Sequence, residues 1–126
     1  MLQRIVEELQ GIVLNPRIFE FSASSAMQSA VMFDIEVQNG RYEGKTLKVA
    51  LSFQEESYPE YPPHFVHFQS STTTGRFTRH FSYQFEGEEW SAYSLPPSDF
   101  WDKLNSSQKN METYVRVHIS RILDNL

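Results

Sequence analysis

The chain has 126 residues, a formal net charge of -5, 40% hydrophobic residues and 14% aromatic residues, and it has no cysteine. Its length suits one domain with a core large enough to need neither disulfides nor metal. The hydrophobic content excludes a disordered tail, the acidic balance argues against nucleic-acid and polybasic membrane contacts, and the missing thiol excludes disulfides and cysteine-ligated metal.

Leu2, Ile5, Val6, Leu9 and Val13 recur at spacings of three and four, with Gln3, Arg4, Glu7, Glu8 and Gln10 between them. That pattern predicts an amphipathic helix, stopped by Asn15-Pro16, because proline disfavours helix in the residue before it. The opening is periodic and charged, unlike the apolar core of a secretory signal, and no apolar run reaches membrane-spanning length. A cytoplasmic location is expected.

A short strand is expected over residues 18–21, followed by a loop through Ser22-Ala23-Ser24-Ser25. Val31, Phe33, Ile35 and Val37 then alternate with Met32, Asp34 and Glu36, and Leu47, Val49, Leu51 and Phe53 alternate with Lys48, Ala50 and Ser52. Period two marks half-buried strands. Asn39-Gly40 lies in the connection, so the two strands form an antiparallel pair around a loop longer than a two-residue turn.

Residues 65–68 supply a fourth strand, entered from Pro62-Pro63, and residues 69–76 read as a Ser/Thr/Gly loop. Residues 77–95 are aromatic without a clear period. Ser98 can cap a short helix over residues 99–104, with Asp99 near its positive end. Met111, Val115, Ile119, Ile122 and Leu126 predict a final amphipathic helix. The expected architecture is one α+β domain over residues 1–126: a helix, a four-stranded antiparallel meander, a long irregular segment and a C-terminal helix.

The most specific stretch is Tyr58-Pro59-Glu60-Tyr61-Pro62-Pro63. Its prolines fix φ and remove N–H donors, while its tyrosines pair apolar bodies with polar tips. By composition alone it is a stiff connection. In context it resembles the Tyr-Pro-x-x-Pro-Pro signature of the ubiquitin-conjugating enzyme fold. Tyr42-Glu43-Gly44-Lys45 resembles that family's Tyr-x-Gly-Gly turn, and the strand ending in Phe53 precedes the prolines as it does there. The similarity covers residues 1–68, and the second half is similar to the divergent bacterial relatives of these enzymes.

The resemblance implies a UBC-like fold, in which residues 77–95 would form a catalytic-flap-like segment. It also implies a partnership with a ubiquitin-like protein, an activating enzyme or a partner conjugating enzyme. It implies no cofactor and no metal. The family's His-Pro-Asn motif has its nearest counterpart in His80-Phe81-Ser82, and its catalytic cysteine would fall within residues 87–94, with Trp90 at the literal count. As written, no catalytic residue stands there. A thioester needs a thiolate, so Ala92, Ser91 and Ser94 are the positions where a nucleophile would have stood, with His80 as a conceivable base for a serine.

Tyr58, Tyr61, Pro62, Pro63, Trp90 and Trp101 are the candidate binding residues, although core packing is the first expectation for Trp90 and Trp101. His64 and His67 flank a strand at a spacing of three, which is poor metal geometry and suggests surface or edge positions. His118 is expected at the boundary of the last helix's apolar stripe, and Glu86, Glu88 and Glu89 in a solvated acidic loop. Three functions stay open: a non-catalytic binding module, a conjugating enzyme whose cysteine has been exchanged within residues 87–94, and an RWD-type protein-interaction scaffold.

Overall fold

The fold is described from a computed structural model. The structure describes residues 1–19, 29–54, 56–72, 74–75, 77–97 and 99–126. Ser22-Ala23-Ser24-Ser25, the end of the first expected strand at residues 20–21, and the Ser98 cap lie outside them.

The first helix, α1 (Leu2–Leu9), buries Ile5 and Leu9 and carries an Arg4–Glu8 ion pair at 2.8 Å on its polar side. It ends earlier than Asn15-Pro16. Gly11 has φ +80, and the N–H groups of Ile12 and Val13 both donate to the carbonyl of Leu9, which closes the helix with a tight reversal. Val13 is buried beyond the helix rather than on it.

Strand β1 (Leu14–Phe19) begins where the helix was expected to be stopped. It tolerates Pro16 because it is an edge strand, and it bends there, with Asn15 at φ +51 and a register shift between Leu14 and Arg17. Strands β2 (Ser29–Glu36) and β3 (Thr46–Phe53) pair antiparallel, as their alternation requires. β4 (Phe65–Gln69) follows the prolines.

Two further strands correct the expected four-stranded meander. β5 (Phe81–Phe85) and β6 (Glu88–Tyr93) form a hairpin across Glu86-Gly87, whose φ values are +49 and +79. Positive φ at both turn positions matches the right-handed twist of a two-residue hairpin. The segment read as aperiodic is therefore mostly ordered sheet, and Glu88 and Glu89 belong to a strand. The full antiparallel order is β1-β2-β3-β4-β6-β5. Residues 99–104 form successive turns instead of a short helix, with Phe100 N–H bonded to the Pro97 carbonyl and Leu104 N–H to that of Trp101.

The C-terminal helix (residues 111–124) is capped by the Asn110 side chain, which accepts from Thr113 N–H at 2.9 Å. Its middle, Tyr114–Ile119, is π-helical. Every residue of the expected apolar stripe is buried, joined by Tyr114, His118 and Leu123. This helix and α1 cover one face of the sheet, through Val31, Phe33, Val49, Leu51, Phe53, Val66, Phe68 and Tyr93.

The opposite face is buried as well. Ala30, Ala50, Ser52 and Ala92 keep its centre thin, and Trp90 packs there with Phe19 and Met32. Phe19 of β1 and Phe85 of β5 belong to opposite edges of the sheet, yet their rings meet with centroids 4.1 Å apart. The sheet is thus strongly curled, in the direction its twist allows, and small residues on its concave side leave room for aromatic rings from the edges.

The β2–β3 loop packs against the end of the C-terminal helix. Gly40 has φ +89, and a Cβ built there would lie 2.4 Å from the Asp124 carbonyl oxygen. Gly40→Ala should destabilise the fold by about 2 kcal/mol, from strain at positive φ plus overpacking. Urea denaturation reads this as a lower midpoint, and an unchanged midpoint would contradict the loop–helix contact.

Candidate functional site

The proline stretch forms an internal clamp. Tyr58 is buried, its ring meets Phe53 edge-on at 5.7 Å, and Arg4 lies over it at 5.6 Å. Its hydroxyl donates to Glu8 at 2.5 Å, and the same carboxylate oxygen accepts from Met111 N–H at 2.9 Å. Burial, and then the bond to Glu8, push the Tyr58 phenol above its ordinary pKa. Trp101 Nε1 donates to the carbonyls of Pro59 and Glu60 at 3.0 and 3.2 Å. Pro63 is buried and Pro62 half-buried, while Tyr61 is 61% exposed. Tyr61 alone of the candidate binding residues faces fully into solvent.

Residues 87–94 place the suspected nucleophile positions on β6 and just past it. Ser91 is 2% exposed, with its Oγ 2.6 Å from that of Ser70 and 3.3 Å from that of Ser82. Among the described residues its hydrogen-bond partners are the Ser70 and Ser82 hydroxyls rather than a base. Ala92 is fully buried, opposite His67 on one side and Phe81 on the other. Ser94 is exposed beyond the strand. His80 donates its N–H to the Ala92 carbonyl at 2.8 Å and packs its ring on Phe65, 5.2 Å away. Strand alternation puts Phe65 on the concave face and Ser91 on the helix-covered face, so the sheet separates His80 from Ser91. Trp90 is 2% exposed and belongs to the concave core.

The polar centre missed in the sequence lies on the concave face. His67 is fully buried there, which corrects its expected surface or edge position, because β4 is a central strand buried on both faces. His67 Nε2 is 2.8 Å from Ser52 Oγ, and its Nδ1 is 3.0 Å from the Tyr83 hydroxyl. Burial pushes the His67 pKa down to about 3, so the ring is neutral and each tautomer gives it one bond to donate and one to accept. The Tyr83 phenol is raised by burial.

A hydroxyl, an imidazole and an orienting group in series have the connectivity of an activated nucleophile. With Ser52 1% exposed and His67 fully buried, no substrate atom reaches them. The relay is a satisfied buried network that fixes the register of β3, β4 and β5. The exposed His64 packs on Phe65 at 4.2 Å. His118 bonds the Leu95 carbonyl at 2.6 Å, and burial lowers its pKa despite that bond.

Clefts flank the sheet. One, of about 640 Å³, runs between the Gly11–Leu14 turn, the end of β2 and the C-terminal helix at Val115, Arg116 and Leu123. Another, of about 310 Å³, sets Arg17 and Lys48 against Glu86 and Glu88 over Phe19 and Trp90. A third, of about 440 Å³, lies between Gln69, Ser70, Ser71, Glu88 and Glu89. None of these three is lined by Ser91, Ala92 or Ser94. Among the described residues no group of three or more His, Asp or Glu side chains is placed to hold a metal ion, and no helix is long and apolar enough to cross a membrane.

The His67 network makes stability depend on pH. The unfolded ring titrates near about 6.5 and the folded one near 3, so the unfolded state binds more protons between these values. Stability is therefore intact above about pH 6.5 and falls as the pH drops toward 3. Urea midpoints from about pH 7.5 to 3.5 should decline less steeply in a Ser52→Ala/His67→Leu variant than in the parent chain. Identical slopes would contradict the burial of a neutral imidazole.

No family model matches the chain, and neither a curated protein nor a solved structure matches it.

Proposed function

We propose that the chain is a non-catalytic protein-binding module of ubiquitin-conjugating-enzyme-like architecture, which engages a ubiquitin-like protein or another component of its conjugation pathway. The observation that carries the reading is the absence of any thiol from a chain whose proline stretch and N-terminal half resemble that family. The β5–β6 hairpin supports it. A side chain at position 92 points into the packed concave face, and one at 91 lies against Ser70 and Ser82. Neither position offers a nucleophile to an activating enzyme. Tyr61, exposed on a rigid proline frame, is the kind of anchored aromatic that recognises protein surfaces at low entropic cost.

The RWD-type scaffold reading draws on the same hairpin, because residues 81–93 extend the sheet where a catalytic enzyme would need a flap. Both readings make the chain a binder, and they differ in the partner.

Backbone amide spectra of the labelled chain, titrated with ubiquitin-like proteins and conjugating enzymes from the same genome, test the proposal. Saturable shifts around Tyr61, with a Kd of order 1 to 100 µM, are expected. Tyr61→Ala should weaken binding about tenfold or more. Unchanged spectra across the whole set would overturn the pathway assignment and leave the scaffold reading.

A further inference from the structure

The two edges of the sheet are treated very differently. β1 carries the devices that keep edge strands from pairing: Pro16, a positive φ at Asn15 and a register shift. β5 carries none of them. Its residues Phe81–Phe85 run in unbroken register with β6 and include no proline and no lysine.

The hairpin turn dictates which backbone groups of β5 face outward. In a two-residue turn the flanking residues, Phe85 and Glu88, form the closing hydrogen-bonded pair. Bonding then alternates along the strand. Phe81, Tyr83 and Phe85 address β6, and Ser82 and Gln84 turn their N–H and C=O groups away from it. Ser82 and Gln84 are exposed, while Phe81, Tyr83 and Phe85 are half-buried. Among the described residues the edge thus presents backbone donors and acceptors beside three half-buried aromatic rings, of which Tyr83 bonds His67 and Phe85 packs on Phe19.

The charge along this edge is asymmetric. Arg79 and His80 precede the strand, and Glu86 follows it. All three are exposed. A strand of this kind complements itself when it pairs antiparallel, because each basic end then meets the partner's acidic end.

We infer that β5 is the interface for a second copy of this chain, paired antiparallel across a two-fold axis at Tyr83. Ser82 of one protomer bonds Gln84 of its partner and the reverse, which makes one continuous sheet through both protomers. Phe81 lies beside the partner's Phe85, so the aromatic rows cover each other on the concave side. The Arg79–His80 end faces the partner's Glu86. This inference does not depend on the proposed function.

Sedimentation equilibrium of the whole chain at about 5 to 500 µM tests it. A concentration-dependent dimer is expected. Ser82→Pro removes an outward N–H and no bond of the β5–β6 ladder, and should weaken the dimer about tenfold or more. Arg79→Glu and Glu86→Lys should each weaken it about tenfold through like-charge contacts, and the double exchange Arg79→Glu/Glu86→Lys should recover most of the loss. The charge variants decide the matter if the proline variant fails to fold. A chain that stays monomeric throughout overturns the inference, as it would if the edge takes an extended peptide of another protein. A dimer indifferent to these changes, or one that the double exchange does not restore, overturns it too.

Discussion

The carboxylate of Glu8 joins the two ends of the chain to its middle. One of its oxygens accepts from the Tyr58 hydroxyl of the proline stretch and from Met111 N–H at the start of the C-terminal helix, and the other pairs with Arg4. Hydrogen bonds to a charged group contribute about 1.5–3 kcal/mol each, and these two hold α1, the proline turn and the final helix in one arrangement over the sheet. Trp101 completes the clamp by bonding the carbonyls of Pro59 and Glu60. The tyrosine and proline residues that look like a recognition motif are therefore mostly the fold's own fastening. Tyr61 is the part of the motif left exposed to solvent.

The second constraint is the closure of the concave face. A sheet covered by helices on one side can leave its other side to solvent, with polar residues there. Here that side holds alanines, a serine and a neutral histidine at its centre, roofed by Trp90 and by rings from the two edges. The closure draws on Phe19, Tyr83, Phe85 and Trp90, while most of the buried aromatic residues pack beneath the helices. It also keeps the Ser52–His67–Tyr83 series from acting as chemistry, because a polar network enclosed in this way specifies packing and excludes substrate.

Much of the architecture could be read from periodicity. The alternation of β2 and β3 and the stripe from Met111 to Leu126 are one-faced patterns, and one-faced burial is what periodicity records. Other features escaped for physical reasons. Gly11 ends α1 through a positive φ that leaves no apolar trace, and Pro16 is compatible with a strand only because that strand is an edge. β4 is buried on both faces, so nothing in Phe65-Val66-His67-Phe68 marked the histidine as interior. The β5–β6 hairpin did leave a signal: Phe81, Tyr83 and Phe85 alternate with Ser82 and Gln84, ahead of a Glu-Gly turn. The relay was beyond reach, because its three members come from three strands and meet only through register.

Binding without covalent chemistry is the centre of the proposed function, and the thiol-free sequence and the enclosed Ser91 hydroxyl are what it rests on. Intact-mass spectrometry tests it most directly, after incubation of the chain with a ubiquitin-like protein, its activating enzyme and ATP. The account predicts that the chain keeps its own mass throughout. An adduct of the chain with the ubiquitin-like protein that mild base cleaves, the mark of an ester on Ser91 or Ser94, would contradict it.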